Sequence, residues 1–352
     1  MADLLEALTD ADEADLYYVV DTHPGLTRRK RGKGFSYHDA DGKAVDDDTK
    51  DWIASLAIPP AWTEVWICPL RDGHILATGR DAKGRKQYRY HPRWREVRDG
   101  NKYFRLIDFA GALPHVRKKI DEHLRLGGLP REKVLAAVVT LLDETLIRVG
   151  NDEYAVLNDS YGLTTMQDEH AEIAGSTVHF EFVGKGGIER GIDLKDARLA
   201  RIVKACQDLP GEELFQYLDD DGTTVDVNST HVNTFLRELT GAAFTAKDFR
   251  TWGGTVVAAE TLVALGAPSS DKEAEKQVIE AIDAAAERLG NTRAVCRSCY
   301  VHPAVPEAHA DGRLLDAWRT SRAGSKISRG ERTVRKLLAQ QAEADGAERT
   351  AA

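Results

Sequence analysis

The sequence is poor in cysteine and contains no long apolar run. Four cysteines in 352 residues are too few for the disulfide framework of a small secreted domain. No stretch approaches the roughly 18 apolar residues of a membrane-spanning helix. The first residues, MADLLEALTDADEADLYYVV, are acidic and lack the basic and apolar segments of a signal peptide. We therefore expect a cytoplasmic protein with no membrane partner.

Positive charge is scarce overall but concentrated locally. The net charge of −9 argues at first against a nucleic-acid partner. Residues 71–105, however, contain eleven Lys or Arg against four Asp or Glu, and residues 28–33, RRKRGK, contain five basic residues in six. Residues 311–336 add eight basic residues against three acidic ones. Such patches suit a nucleic-acid-binding surface, and an unevenly charged solvated surface is the alternative.

Short β-type runs dominate the first hundred or so residues. GFSYHDADGKAV predicts a hairpin around its Asp-Gly turn, and TEVWICP, GHILATGR and KQYRYH each predict a strand. DWIASLAIPPAW predicts a short helix that ends before Pro59. Together these runs indicate a small antiparallel sheet domain.

From about residue 110 the apolar period becomes helical. REKVLAAVVTLLDETLIRVG predicts a long helix ending at Gly150. The alternating stretch STVHFEFVGKGGIERGIDL interrupts the helices and predicts a β-hairpin with Lys185 near its tip. The fold class predicted is α+β, with a β-rich domain over residues 1–98 and a mostly α-helical domain over 99–352. We expect the last ~12 residues to form a frayed polar end.

Four cations lie in positions where an anion could bind. Thr245 and Asp248 resemble a capping box, which would place Lys247 and Arg250 in the first turns of a helix. Arg148 at a helix end could simply complement the helix dipole. Lys185 in a turn could simply be a solvated surface lysine. None of these residues alone distinguishes a site from a surface.

The stretch KGRKQYRYHPRWR mixes basic, aromatic and amide side chains. In a strand, Tyr88 and Tyr90 would point to one face and Gln87 and Arg89 to the other. This mixture suits a surface that meets phosphates and base edges. A sheet with half-buried tyrosines and a charged solvent side explains it equally well. The candidate nucleic-acid contacts here are Arg85, Lys86, Gln87, Tyr88 and Tyr90.

The stretch LGNTRAVCRSCYVHP offers competing chemistries. Cys296 and Cys299 have the spacing of a redox pair, or of a half zinc site that His302 and His309 would complete. Helices predicted on both sides disfavour the redox pair, and no second cysteine pair supports zinc, so structural cysteines are favoured. Tyr300 could be a nucleophile, but an ordinary phenol, with a pKa of ~10, is a poor one at neutral pH. Cations around a bound phosphodiester would favour its phenolate.

Taken in their order along the chain, these residues resemble a known protein family. Arg148, Lys185, the sequence KDFR at 247–250, Asn291 and Tyr300 are similar to the active site of type IB DNA topoisomerases of the compact bacterial and poxvirus kind. The stretches GKGFSYHDADG and GHILATGRDAKGRKQYRYHPRW resemble that family's β-rich DNA-clamp domain, and FRTWGGT and NTRAVCRSCYVHP resemble its helical catalytic domain. The similarity spans roughly residues 24–320.

The resemblance implies a role for each residue. Tyr300 would attack the scissile phosphodiester, joining the 3′ phosphate and releasing a 5′ hydroxyl. Arg148 and Arg250 would hold the non-bridging oxygens, and Lys185 would be the general acid. Lys247 matches a lysine that also contacts the cleavage site. Asn291 falls where many members have His, and an amide can donate a hydrogen bond without taking up a proton.

The resemblance also implies partners and cofactors. Duplex DNA would be the substrate, gripped by a monomer that clamps around it, in the cytoplasm and associated with the nucleoid. Gln87, Tyr88 and Tyr90 match strand contacts to DNA, and Tyr154 matches a residue near the scissile strand. No cofactor is expected, because Arg and Lys supply the charge stabilisation, the phosphotyrosyl bond conserves energy, and the chain has no Walker A pattern.

Two other functions compete with this one. A tyrosine recombinase uses related chemistry, but usually carries His-x-x-Arg where this chain has KDFR, and a helical arm in place of a β-rich domain. A non-catalytic DNA-binding protein would explain the basic patches, but not the cations that precede Tyr300.

Overall fold

The computed structural model describes residues 2–32, 34–151, 155–156 and 159–351, with backbone alone for 2–6, 99–104 and 345–351. The chain forms two compact units, Met1–Tyr103 and Phe104–Ala352. The domain boundary predicted after residue 98 falls inside one long helix, Pro92–His123. The domain roles that the sequence suggests stay predictions.

The first unit is built on a five-stranded antiparallel sheet. Its strands run in the order β2-β1-β3-β4-β5. Their bounds are β1 Leu26–Arg31, β2 Gly34–His38, β3 Thr63–Ile67, β4 Ile75–Arg80 and β5 Lys86–Tyr90. Two helices accompany the sheet, α1 Ala2–Glu13 and α2 Asp47–Ser55.

Local contacts explain where helix α2 begins and which face it buries. The Asp46 carboxylate accepts a hydrogen bond from the Thr49 N–H at 2.7 Å and so caps α2. Ile53 on α2 is buried against Leu26, Val65 and Ile67, which closes a small apolar core over one face of the sheet. The predicted helix and the strands β3, β4 and β5 are confirmed.

The hairpin predicted around the Asp-Gly turn forms but is short. Gly42 takes φ +82°, and the returning chain makes an isolated antiparallel bridge, between His38 and Ala44, and no full strand. Strand β2 instead pairs along its whole length with β1, which is the basic stretch that begins at Arg28. That stretch was predicted only as a charged patch, because its four consecutive cations hide the alternation of a strand.

The second unit is mainly helical. Its helices are α3 Pro92–His123, which begins in the first unit, α4 Arg131–Thr145, α5 Ala197–Gln207, α6 Ser229–Thr240, α7 Ala246–Leu265, α8 Asp271–Leu289, α9 Arg293–Cys299, α10 Ala304–Ala310, α11 Arg313–Thr320 and α12 Arg329–Ala351. The last of these includes the residues for which the sequence predicts a frayed end. Among the described residues, no helix is long and apolar enough to cross a membrane.

Three strands form a separate sheet beside these helices, and two short ones form a ribbon. The sheet has β6 Ala171–Ala174, β7 Thr177–Gly184 and β8 Ile188–Lys195, and the ribbon pairs β9 Gln216–Leu218 with β10 Thr224–Asp226. The predicted hairpin is confirmed as β7–β8. Its tip contains Gly186 and Gly187 at φ +85° and +76°, a conformation that glycine adopts without strain.

The core of the second unit lies around α4 and α7. Helix α4 is apolar on nearly every side, and its residues 134–139 are all buried. The alternating side chains of β7, Val178, Phe180 and Phe182, are buried against the same core. The hairpin is therefore fixed by its apolar face, which leaves its polar tip at the surface.

Helix α4 ends earlier than the sequence predicts. It stops at Thr145, and Leu146 adopts a left-handed conformation at φ 57°. The chain turns there because Leu146 N–H closes the helix on Leu142 O at 3.0 Å. Arg148 consequently lies in an irregular segment after the helix and is not in the last helical turn, where the sequence suggested a partner of the helix dipole.

Candidate active site

Tyr300 lies at the end of the short helix α9. Its backbone N–H donates to Cys296 O at 3.0 Å, and its backbone carbonyl accepts from Thr255 Oγ1 at 3.1 Å. Gly254 on α7 packs beneath it, since a Cβ at that position would lie 3.1 Å from Tyr300 O. Helix α7 therefore holds the backbone of Tyr300 in place.

Arg250 lies in the second turn of α7. The predicted capping box is present: Asp248 accepts from the Thr245 N–H at 2.7 Å. The Arg250 guanidinium is buried and donates to Leu146 O and to Leu289 O, the latter at 3.0 Å. Its Cζ atom lies 5.3 Å from the centre of the Tyr300 ring. The start of α7 thus carries a fixed cation against the phenol.

Arg148 and Asn291 form a second pair beside them. Arg148 donates to Gly290 O at 3.3 Å and to the side-chain oxygen of Asn291. Asn291 follows α8, whose last turn ends at Gly290 in a left-handed conformation. The left-handed turn at Leu146 and the one at Gly290 therefore bring these side chains together.

The electrostatics of the site favour an anion. Burial, with a smaller contribution from Arg148, lowers the pKa of Arg250 to about 10, although the nearby Tyr300 phenol opposes this shift. Burial also lowers the pKa of Arg148. Within the described part of the chain, no carboxylate forms an ion pair with either guanidinium. Two positive charges are thus held partly out of water, with no carboxylate counter-ion among the described residues.

One cavity of about 260 Å³ is lined by most of the predicted catalytic side chains: Arg148, Lys185, Lys247, Arg250 and Tyr300. Lys185 reaches it from the tip of the β7–β8 hairpin, and Lys247 from the first turn of α7. Both lysines are exposed, in contrast to the buried Arg250. The fold therefore gathers side chains from three distant segments around one phenol.

Two buried donors near this cavity have no hydrogen-bond partner of good geometry in the described structure. They are Arg250 Nε and Asn291 Nδ2. The Asn291 side chain does neighbour the Cys296 thiol, whose pKa is raised mainly by burial. Because an unpaired buried donor is costly, such groups are suited to a bound acceptor such as a phosphate oxygen.

The cysteines of this region pack as the sequence analysis favoured. Cys296 is fully buried in an apolar cluster with Leu146, Ile282 and Leu289. All four cysteines are free thiols, and the described residues contain no group of His, Cys, Asp and Glu able to hold a metal ion.

The candidate DNA contacts lie on strand β5 of the first unit. Tyr88 and Tyr90 stack with ring centres 5.6 Å apart, as expected for residues on one face of a strand. Their basic and amide neighbours are already paired: Lys86 with Asp21 at 2.6 Å, and Gln87 with Asp81 at 3.0 Å. Asp81 also pairs with Arg85, at 2.6 Å. Tyr154 lies outside the described residues.

Sequence reasoning missed one cation and one backbone support of this site. Arg190 on β8 lies in a narrow cleft with Arg148 and Lys185. Its position five residues after Lys185, on the return strand of the hairpin, was visible in the sequence but carried no motif. The support that Gly254 gives to Tyr300 had no local signal, because it depends on how two helices pack.

Two family models and several known proteins match this chain. The family model described as the catalytic core of eukaryotic DNA topoisomerase I matches residues 91–311, and the one for the N-terminal domain of bacterial DNA topoisomerase IB matches residues 34–81. A DNA topoisomerase 1B of Acanthamoeba polyphaga mimivirus is 32% identical over 286 residues, which cover 79% of this chain and 85% of the viral one. A DNA topoisomerase 1B of vaccinia virus is 23% identical over 69% of this chain and 74% of its own. The chain therefore belongs to the type IB DNA topoisomerase family.

Proposed function

We propose that this protein relaxes supercoiled duplex DNA by cutting one strand through Tyr300 and resealing it after rotation. The observation that carries the proposal is the convergence of two guanidiniums and two lysines on one phenol, around one cavity. Tyr300 Oη attacks the phosphorus and forms a 3′-phosphotyrosyl bond. The bond to the 5′ oxygen breaks, and the leaving strand becomes a 5′ hydroxyl.

The arginines stabilise the charge that develops in this step. A phosphodiester in the cavity would supply the counter-ion that Arg148 and Arg250 lack among the described residues, and would accept from the unpaired Arg250 Nε. Fixed donors in a partly dry site stabilise a charged transition state strongly, because they need no reorganisation.

Lys185 is the candidate general acid. It is exposed at the hairpin tip and lines the cavity, so it can approach the 5′ oxygen that leaves. Arg148, which lines the same cavity, would assist it. Lys247 would contact the phosphate or its neighbour from the start of α7, where the helix dipole adds to its charge.

Asn291 is proposed as a hydrogen-bond donor. Its side-chain oxygen accepts from Arg148, so the nitrogen is the end of the amide that remains for a phosphate oxygen. An amide neither gains nor loses a proton near neutral pH. Asn291 would therefore stabilise the transition state without taking part in proton transfer.

The DNA grip is proposed to lie on the first unit and on the basic patches. Tyr88, Tyr90 and Gln87 on β5 would contact the duplex, with Arg85 and Lys86 on phosphates. A single chain would clamp the duplex as a monomer, and binding would weaken steeply with salt because counterions are released. Resealing needs no ATP, since the phosphotyrosyl bond conserves the energy of the broken one.

The test is relaxation of a supercoiled plasmid in EDTA without ATP. We expect stepwise relaxation of both positive and negative supercoils, and a covalent protein–DNA adduct when the reaction is stopped with denaturant. Tyr300→Phe should abolish relaxation and adduct while leaving duplex binding intact. A wild-type protein that binds DNA without relaxing it, across salt and pH, would be a binding module. A need for paired sites would instead indicate a recombinase.

A further inference from the structure

A third guanidinium, Arg190, lies beside the cavity and has no part in the chemistry above. It is partly buried, and Arg148 contributes to the lowering of its pKa after the larger effect of burial. Arg190, Arg148 and Lys185 line the same narrow cleft. A partly buried arginine in one cleft with two other cations is unfavourable unless other contacts offset it, because like charges repel and burial costs solvation.

The last turn of α8 provides hydrogen-bond acceptors that offset this cost. Arg190 donates through Nη1 to Glu287 O at 3.0 Å and through Nη2 to Arg288 O at 3.1 Å. The next two carbonyls, of Leu289 and Gly290, accept from Arg250 and Arg148. Carbonyls at a helix C-terminus lack intrahelical partners and carry partial negative charge. The end of α8 therefore holds three guanidiniums in register along consecutive carbonyls.

Arg190 differs from Arg148 and Arg250 in the structural element that carries it. Arg250 lies on helix α7 and Arg148 in the segment that follows α4, whereas Arg190 belongs to strand β8 of the hairpin that carries Lys185. It pairs with Phe182 in the ladder, and the last pair before the tip is Gly184 with Ile188. The distance along the strand from Arg190 to Ile188 is about 7 Å. Arg190 thus links the part of the hairpin near its tip to the C-terminal end of α8.

We propose that Arg190 is a positioning residue that fixes Lys185 against the Arg148–Arg250 pair by docking the hairpin onto the end of α8. The inference rests on the proposed role of Lys185 as general acid. Arg190 has both terminal nitrogens on helix carbonyls, so it acts through the hairpin and not on the phosphate. A loose hairpin would keep Lys185 charged and present but misplace it at the leaving oxygen.

The experiment compares cleavage of two duplexes in a single turnover, one with an ordinary 5′ oxygen at the scissile phosphate and one with a 5′-bridging sulfur. A thiolate leaves without a proton, so the sulfur substrate does not need the acid. We expect Arg190→Ala to slow cleavage of the oxygen substrate by roughly 10- to 100-fold, since misplacing a reacting group by an ångström has such effects. The same variant should slow the sulfur substrate by less than about threefold.

Two further variants keep the result interpretable. Arg190→Lys retains the charge and one docking group, and should recover part of the lost rate on the oxygen substrate. Lys195→Ala removes a positive charge from the exposed far end of the same strand and should leave both rates unchanged. In a Lys185→Ala background, Arg190→Ala should add little, because both changes remove the same contribution.

Three outcomes would overturn the positioning role. Equal slowing on both substrates would place Arg190 with the charge-stabilising arginines. An unchanged rate on the oxygen substrate would leave it without a function in cleavage. If Arg190→Ala lowers the salt dependence of DNA binding by about one counterion, Arg190 contacts a phosphate. If Lys185→Ala itself slows both substrates equally, the proposed role of Lys185 fails instead, and that result is separate from the Arg190 measurement.

Discussion

Arg148 donates a hydrogen bond to the side-chain oxygen of Asn291, a residue 143 positions further along the chain. The bond leaves the amide nitrogen as the end that can donate to a bound acceptor. Among the described residues that end neighbours the Cys296 thiol and has no partner of good geometry. A side chain that cannot titrate is thereby given one orientation and one remaining function, that of a donor.

The pH dependence of cleavage should reflect this pairing. In the wild type we expect no step in the single-turnover rate near pH 6.5, because Asn291 cannot protonate. Asn291→His should introduce such a step, as an imidazole titrates there. Asn291→Asp should be slower than Asn291→Ala, because a carboxylate would repel the phosphate. A wild-type rate that already titrates near pH 6.5 would contradict the assignment.

The burial of Arg250 should appear in the pH dependence of stability. Burial lowers its pKa to about 10, below the value of 12.5 for a free guanidinium. Between these values the unfolded chain holds the proton and the folded chain does not, so the free energy of unfolding rises with pH in this window. Relative to Arg250→Gln, the wild type should gain about 1 kcal/mol between pH 9 and pH 10.5. Denaturant unfolding of both proteins measures the difference, and a constant gap would contradict it.

Asp21 should weaken the grip on DNA. It pairs with Lys86 at 2.6 Å and accepts from Thr78 Oγ1 at 2.9 Å, so Lys86 must leave it to meet a phosphate. Asp21→Asn should tighten duplex binding by up to about fivefold, which is the range of a surface ion pair. Asp51→Asn removes the same charge from the exposed face of α2 and should change affinity less. Equal effects of the two changes would indicate net charge alone.

Gly254 should be intolerant of even one methyl group. A Cβ there would lie 2.8 Å from Leu289 Cδ1 and 3.1 Å from Tyr300 O, so the backbone that carries the phenol would have to shift. Gly254→Ala should lower the free energy of unfolding by about 1–3 kcal/mol, the cost of overpacking, and slow cleavage as well. Gly111→Ala on α3 is the matched change, because its nearest neighbour would be 3.9 Å away. That variant should be neutral or more stable, with cleavage unchanged.

Much of the fold could be predicted because its signals are local. The alternation of Val178, Phe180 and Phe182 predicted the hairpin, and the Thr245–Asp248 box predicted where α7 begins. Strand β1 escaped prediction because its four cations at residues 28–31 hide any alternation. The end of α4 was misplaced by five residues, because the turn at Leu146 uses a left-handed leucine where sequence rules look for glycine.

The candidate site, like the fold, has features that the sequence predicts and features that it does not. Residue types and their order were enough to name Tyr300, Arg148, Lys185, Lys247, Arg250 and Asn291 as candidates. Their arrangement could not be predicted, because the carbonyls of α8 that hold the arginines are common to every helix and acquire a role only when other segments reach them. Which guanidinium meets which carbonyl depends on packing between segments more than a hundred residues apart, such as Arg250 against Leu146. Local patterns therefore specify the helices, the hairpin and the reactive groups, whereas the distances between those groups arise only when the core closes.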